Sequence, residues 1–183
     1  MIRAAAGLGI LMALAATPAL CAAPSQMLTV QSSVATRCKM LPPQVTGAGT
    51  NFTSAGAGGR LDLTNFVNSS DKTQAVNAQL EFSIVCTGAH SLTVGTQSGG
   101  LNDQTAGTPG SGFVTHADYG LSASWDNTTK SLTTNGTAAS VDLSQTGPAS
   151  GNLVIDLNLA AGIGPLQAGD YTDAIIVQLN TAQ

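Results

Sequence analysis

Gln79-Leu80-Glu81-Phe82-Ser83-Ile84-Val85-Cys86 places Leu80, Phe82, Ile84 and Cys86 on one side of an extended chain and Gln79, Glu81 and Ser83 on the other. A period of two is the mark of a strand with one face in a core and one in water. The same alternation recurs in Tyr119 to Trp125, where Tyr119, Leu121, Ala123 and Trp125 share a face. It recurs again where Leu153, Ile155, Leu157 and Leu159 alternate with Asn152, Val154, Asp156 and Asn158. A closing strand is expected from Tyr171 onward, with Tyr171, Ile175, Val177 and Leu179 on one side and Thr172, Ala174 and Gln178 on the other. Shorter candidates lie at Leu61 to Val67, Leu92 to Gly95 and Val141 to Leu143. Turn-forming stretches separate them at Gly47 to Gly59, Gly95 to Gly112, Asn135-Gly136 and Gly147-Pro148. No segment keeps a helical period. About six or seven short strands with regular turn signals predict an all-β, antiparallel sandwich of immunoglobulin-like type. Its core rests on Leu, Ile and Val, with Trp125 as the one large anchor.

The chain has 183 residues, of which 43% are hydrophobic and only 9% charged. Gly, Ser, Thr, Asn and Ala stand where Lys and Glu would ordinarily sit, which suits a polar but weakly charged surface. A formal net charge of −4 and six scattered Lys and Arg residues give no electrostatic footprint for nucleic acid. Catalytic constellations are missing as well. His116 and Asp118 could begin a triad, but no Gly-x-Ser-x-Gly elbow presents a nucleophile. His90 and His116 sit in polar, turn-like settings that predict solvated surface residues, too far apart in sequence for a zinc clamp. Asp103, Asp118, Asp126, Asp142 and Asp156 do not follow a calcium-loop spacing. No enzyme, cofactor or metal is expected.

The N-terminus has the layout of a cleaved secretory signal. Arg3 supplies the positive end, Ala4 to Ala16 form a short apolar run, and small residues follow Pro18. The run is too short to span a bilayer, so no membrane attachment is expected of the mature form. The expected division is a signal over 1–22, with its boundary at 21–23, an N-terminal strand over 23–36 and a folded domain over 37–183. Removal of the signal takes Cys21 and leaves Cys38 and Cys86. An even pair in an exported chain implies one disulfide. Closing a loop of that length contributes on the order of 4 kcal/mol in the chain-entropy model. A redox or metal pair is disfavoured by the spacing and by the lack of nearby histidine ligands.

Directly after the signal, Gln26 to Val34 alternates again, with Leu28, Val30, Ser32 and Val34 on one face. At the far end stands Pro165-Leu166-Gln167-Ala168-Gly169-Asp170-Tyr171-Thr172-Asp173. This stretch resembles the C-terminal signature of the spore coat protein U domain family, which includes archaic chaperone–usher pilins. The signature positions are Pro165, Leu166, Ala168, Gly169, Tyr171 and Asp173. The resemblance extends to an exported chain, a short N-terminal strand, a first cysteine at Cys38 and a second, Cys86, that closes a strand. The Phe-Gly element that often follows the first cysteine in that family is missing between Cys38 and Gly59, and the middle of the chain, Gly95 to Thr137, does not align.

The resemblance implies an immunoglobulin-like fold lacking its last strand and completed by donor-strand complementation. A periplasmic pilus chaperone, an outer-membrane usher and neighbouring pilin subunits are the implied partners, and an extracellular surface fimbria supporting adhesion or biofilm formation is the implied destination. Leu28, Val30, Ser32 and Val34 become donor-strand anchors, and Tyr171, Ile175, Val177 and Leu179 border the acceptor groove. Two alternatives remain open on sequence grounds. One is a non-polymerising secreted coat or matrix protein of the same fold, and the other a secreted carbohydrate-binding or hydrolytic β-sandwich module.

Overall fold

The computed structural model describes residues 30–55, 60–105 and 107–181. The chain divides into two compact units, Met1–Ser33 and Val34–Gln183. Of the first, only residues 30–33 are described. They form no strand, although their side chains alternate. Alternation marks which face would be buried, but a strand exists only where a neighbour takes its backbone hydrogen bonds.

The second unit is all-β, with no helix among the described residues. Its strands are β1 (Cys38–Met40), β2 (Gln44–Thr50), β3 (Phe52–Ala55), β4 (Arg60–Leu63), β5 (Val76–Cys86), β6 (His90–Thr96) and β7 (Leu101–Asp103). They continue as β8 (His116–Ala117), β9 (Tyr119–Trp125), β10 (Thr128–Thr133), β11 (Ser140–Asp142), β12 (Ala149–Leu159), β13 (Tyr171–Thr172) and β14 (Ile175–Thr181). The largest sheet has the order β1-β5-β12-β9-β10, with β2 also on β5. A second sheet has the order β11-β6-β14, and smaller ones are β13-β7-β8 and β3-β4. Every strand pair is antiparallel.

The two larger sheets share one core, an arrangement consistent with a β-sandwich. Leu80, Phe82, Ile84 and Cys86 of β5 and Leu121, Ala123 and Trp125 of β9 meet Leu92 and Val94 of β6. Each such aliphatic or aromatic side chain contributes about 1.5–3 kcal/mol on burial. In β12 the inward set is Leu153, Ile155 and Leu159, while Leu157 is only half-buried.

β1 and β2 lie end to end along β5, with Cys38 opposite Cys86 and Val45 opposite Leu80. The break falls at Pro42-Pro43, since proline has no backbone N–H for a ladder. β9 and β10 form a hairpin that alternation does not reveal. Its two turn residues, Asp126 and Asn127, both have positive φ (43° and 62°), the geometry that matches the twist of paired strands.

Three expectations need correction. The stretch Gly47 to Gly59 is not simply a turn, because β2 runs to Thr50 and β3 follows. The stretch Gly95 to Gly112 is not simply a turn either, because β6 runs on to Thr96 and β7 follows; at Gly95, inside β6 as expected, a Cβ would stand 2.7 Å from the Ala139 carbonyl oxygen, so glycine lets the chain before β11 lie close. The closing strand is divided between sheets: β13 pairs with β7 and β14 with β6, separated by Asp173 and Ala174.

Candidate partner-binding groove

An apolar groove of about 1090 Å³ opens between the large sheet and β14. Leu80 and Phe82 of β5 and Leu157 and Leu159 of β12 line the sheet side. Ile175 and Val177 of β14 line the other, with Met40 and Pro43 on the β1–β2 flank and Leu61, Leu63 and Phe66 farther along. Both flanks are edge strands. β1 and β2 pair with β5, and β14 pairs with β6; among the described residues no strand pairs with their other sides. Ile175, Val177 and Leu179 therefore stay half-buried, whereas the inward residues of β5 are buried. Of the four residues expected to border an acceptor groove, Tyr171, Ile175 and Val177 line it. Leu179 does not line it, though like the other three it packs against the core cluster.

The mouth of the groove is built by Gly169 to Ala174, and Asp173 organises it. Its Oδ1 accepts the backbone N–H groups of Ser98 (2.8 Å) and Ala174 (2.7 Å). Its Oδ2 accepts the N–H of Gly100 (2.8 Å) and the hydroxyl of Tyr119 (2.9 Å). A carboxylate that takes three backbone donors stops the chain from continuing as one straight strand, which is why β13 and β14 part here. Burial, the bond to Asp173 and the charge of Asp173 together hold the Tyr119 hydroxyl far above its ordinary pKa.

The other signature residues have local reasons. Leu166 is buried, and its N–H donates to the Asp71 carbonyl. The Pro165 carbonyl accepts the Val114 N–H, and the Gln167 N–H donates to the Val114 carbonyl. A Cβ on Gly169 would lie 2.2 Å from both carboxylate oxygens of Asp103, so any larger residue has to displace that side chain. The Tyr171 hydroxyl donates back to the Gln167 carbonyl (2.8 Å), and its ring meets Phe66 at a centroid distance of 5.4 Å. Burial first, and the charge of Asp103 second, raise the Tyr171 pKa. Ala168 is exposed.

Cys38 and Cys86 form the expected disulfide across β1 and β5, with Cα atoms 4.1 Å apart. His90 corrects two expectations at once. It is buried, and it lies close enough to both sulfurs that one ligand atom from each of Cys38, Cys86 and His90 falls within 4.8 Å of the others. The disulfide occupies the two sulfurs, and the ring is engaged on both sides. Trp125 Nε1–H donates to His90 Nε2 (3.2 Å), and Nδ1 faces the Gly88 carbonyl (3.1 Å). Sequence reading missed this because the ring's partners are distant in the chain or are backbone groups.

His116 is half-buried. Asn102 donates through Nδ2 to the Ser98 and Gly100 carbonyls, which turns its Oδ1 toward His116 Nδ1 at 2.8 Å. His116 Nε2 meets Asp118 Oδ1 at 2.6 Å. With Nδ1 on Asn102 and Nε2 on Asp118, the imidazole knits β7 to the segment that follows β8. Val30, Ser32 and Val34 are exposed, Val30 at 85% and Val34 at 81%. Leu28, the fourth expected anchor, and the expected signal over 1–22 lie outside the described residues. No family model, curated protein or solved structure matches the chain.

The groove offers an apolar floor between two strand edges, which is the requirement for β-strand addition. Main-chain hydrogen bonds along an edge supply affinity, and alternate side chains entering the floor set register.

Proposed function

We propose that this chain is a structural subunit of a surface fibre, assembled when the N-terminal segment of one copy fills the groove of another. The observation that carries this reading is the apolar groove flanked by β14 and by β1–β2, whose free sides carry no strand among the described residues. The sheet orders support it. In an immunoglobulin-type sandwich one sheet runs A-B-E-D and the other C-F-G. Taking β1–β2 as A, β5 as B, β6 as C, β9 as D, β12 as E and β14 as F reproduces A-B-E-D and C-F. The position of G is the groove.

The occupant is the segment from Met27 to Val34 of a second copy. It is uncharged, and Leu28, Val30 and Val34 stand on one face as the floor requires. Burying three such side chains contributes about 1.5–3 kcal/mol each, in addition to the ladder. Head-to-tail insertion uses two different surfaces and propagates an open fibre. An unfilled groove is an aggregation hazard. A periplasmic chaperone therefore fills it first, and an outer-membrane usher carries out the exchange that extends the fibre at the cell surface. This is the route of the pilins that the closing signature resembles.

The test is to delete residues 24–35 and co-express the shortened chain with its periplasmic chaperone. The expected result is a soluble complex with the chaperone that no longer polymerises. Adding a synthetic peptide of residues 24–35 should then displace the chaperone and raise the melting temperature with the logarithm of the free peptide concentration above its Kd. A shortened chain that unfolds beside an intact chain that is a stable monomer without chaperone would overturn the reading.

A further inference from the structure

Upstream of β1 the chain does not leave the domain freely. The Arg37 N–H donates to the Thr87 hydroxyl (2.9 Å), and that hydroxyl donates to the Ala35 carbonyl (3.1 Å). The Thr87 N–H donates to the Arg37 carbonyl (2.9 Å). Beside it, a Cβ on Gly88 would stand 2.9 Å from Thr36 Cγ2, so the glycine lets Thr36 lie flat along the end of β5. Residues 35–37 are thus fastened in line with β1, past the point where β5 ends.

We propose that Thr87 is a directing clip: it holds the base of the N-terminal segment beyond the end of β5 and so denies a domain its own donor strand. The inference rests on the proposed groove-filling role. Distances along the chain carry it. Met40, the groove residue nearest the clip, is five positions beyond Ala35, about 17 Å along a strand. A reversal just upstream of Ala35 uses about two residues. From there Leu28 reaches back about 17 Å, only level with Met40, and Val30, Ser32 and Val34 fall short. A neighbouring copy has no such restriction, and its groove can receive all four. Val34 is accordingly exposed right beside the clip. Without the Thr87 hydroxyl, Ala35 and Thr36 become available for the return, adding about 7 Å of reach, while the Thr87 N–H still holds the Arg37 carbonyl.

The test uses the full exported chain with Val30→Cys and Val177→Cys, a short thiol-reactive bridging reagent, and the native disulfide intact. With Thr87 in place, the expected product is a ladder of bridged multimers without an internally bridged monomer. Thr87→Val should shift product severalfold from the ladder to internally bridged monomer, and Thr87→Ser, which keeps the hydroxyl, should restore the ladder. An internally bridged monomer with Thr87 intact overturns the clip, as does a ladder that Thr87→Val leaves unchanged. Failure of any bridging, together with failure of a free peptide of residues 26–35 to bind the shortened chain, overturns the groove-filling role itself.

Discussion

Asp173 accepts the hydroxyl of Tyr119 at 2.9 Å, joining the residue that interrupts the closing strand to the first residue of β9. The bond ties the mouth of the groove to the large sheet, so the spacing between β14 and that sheet depends on a side-chain contact at one end. Removing the charge should be felt at the groove as well as in overall stability. Asp173→Asn leaves an amide facing donors on both sides, and a loss on the order of 3 kcal/mol is expected. A urea midpoint series with Tyr119→Phe as the milder partner measures it.

The same pair predicts behaviour in alkali. The Tyr119 pKa in the folded chain lies above its ordinary value of 10.0. The unfolded chain therefore releases that proton first, and stability is full below about pH 10 and falls as pH rises beyond it. Tyr171, raised in the same direction, adds to the slope. Tyr119→Phe should flatten the decline in stability between pH 10 and higher values, as read by thermal melts at stepped pH.

The disulfide fastens the short strand β1 to β5 at the base of the N-terminal segment. Paired replacement, Cys38→Ser with Cys86→Ser, should lower stability by about 2–4 kcal/mol. Reduction of the native chain should give a comparable drop, followed by denaturant unfolding with and without a thiol reductant.

Gly169→Ala would drive a methyl group into the Asp103 carboxylate. Overpacking of this kind costs about 1–3 kcal/mol. Because Gly169 also lines the groove, peptide binding should weaken in parallel, which calorimetric titration with the residue 24–35 peptide would detect.

Val30→Asp separates assembly from folding. Val30 is exposed and outside the second unit, so the stability of that unit should stay within about 0.5 kcal/mol. A charge cannot enter an apolar floor without a partner, so polymer formation should be lost. Sedimentation of the purified chain after chaperone release checks both halves.

How much of this could be read from the chain alone follows from the range of each interaction. Alternation in Leu80 to Cys86, Tyr119 to Trp125 and Leu153 to Leu159 gave β5, β9 and β12, because a side chain's burial on a pleated strand depends on its immediate neighbours. The pairing of Cys38 with Cys86 was forced by their number once Cys21 was set aside. β10 escaped, since an edge strand with Leu132 as its one apolar side chain carries no period.

Other features exist only in three dimensions. His90 looked solvated beside Gly88 and Ser91, yet Trp125 reaches it across the core. Asp173 looked like one more residue of a strand, yet three backbone N–H groups and a phenol converge on it. The sequence by itself determined an all-β chain, its inward faces and its single crosslink, because these follow from local pattern and composition. The tertiary structure alone decided which of the described strands stand at sheet edges, where the closing strand breaks and that Thr87 binds Ala35 and Arg37. Those outcomes depend on which distant backbone groups find partners, and no local pattern records that.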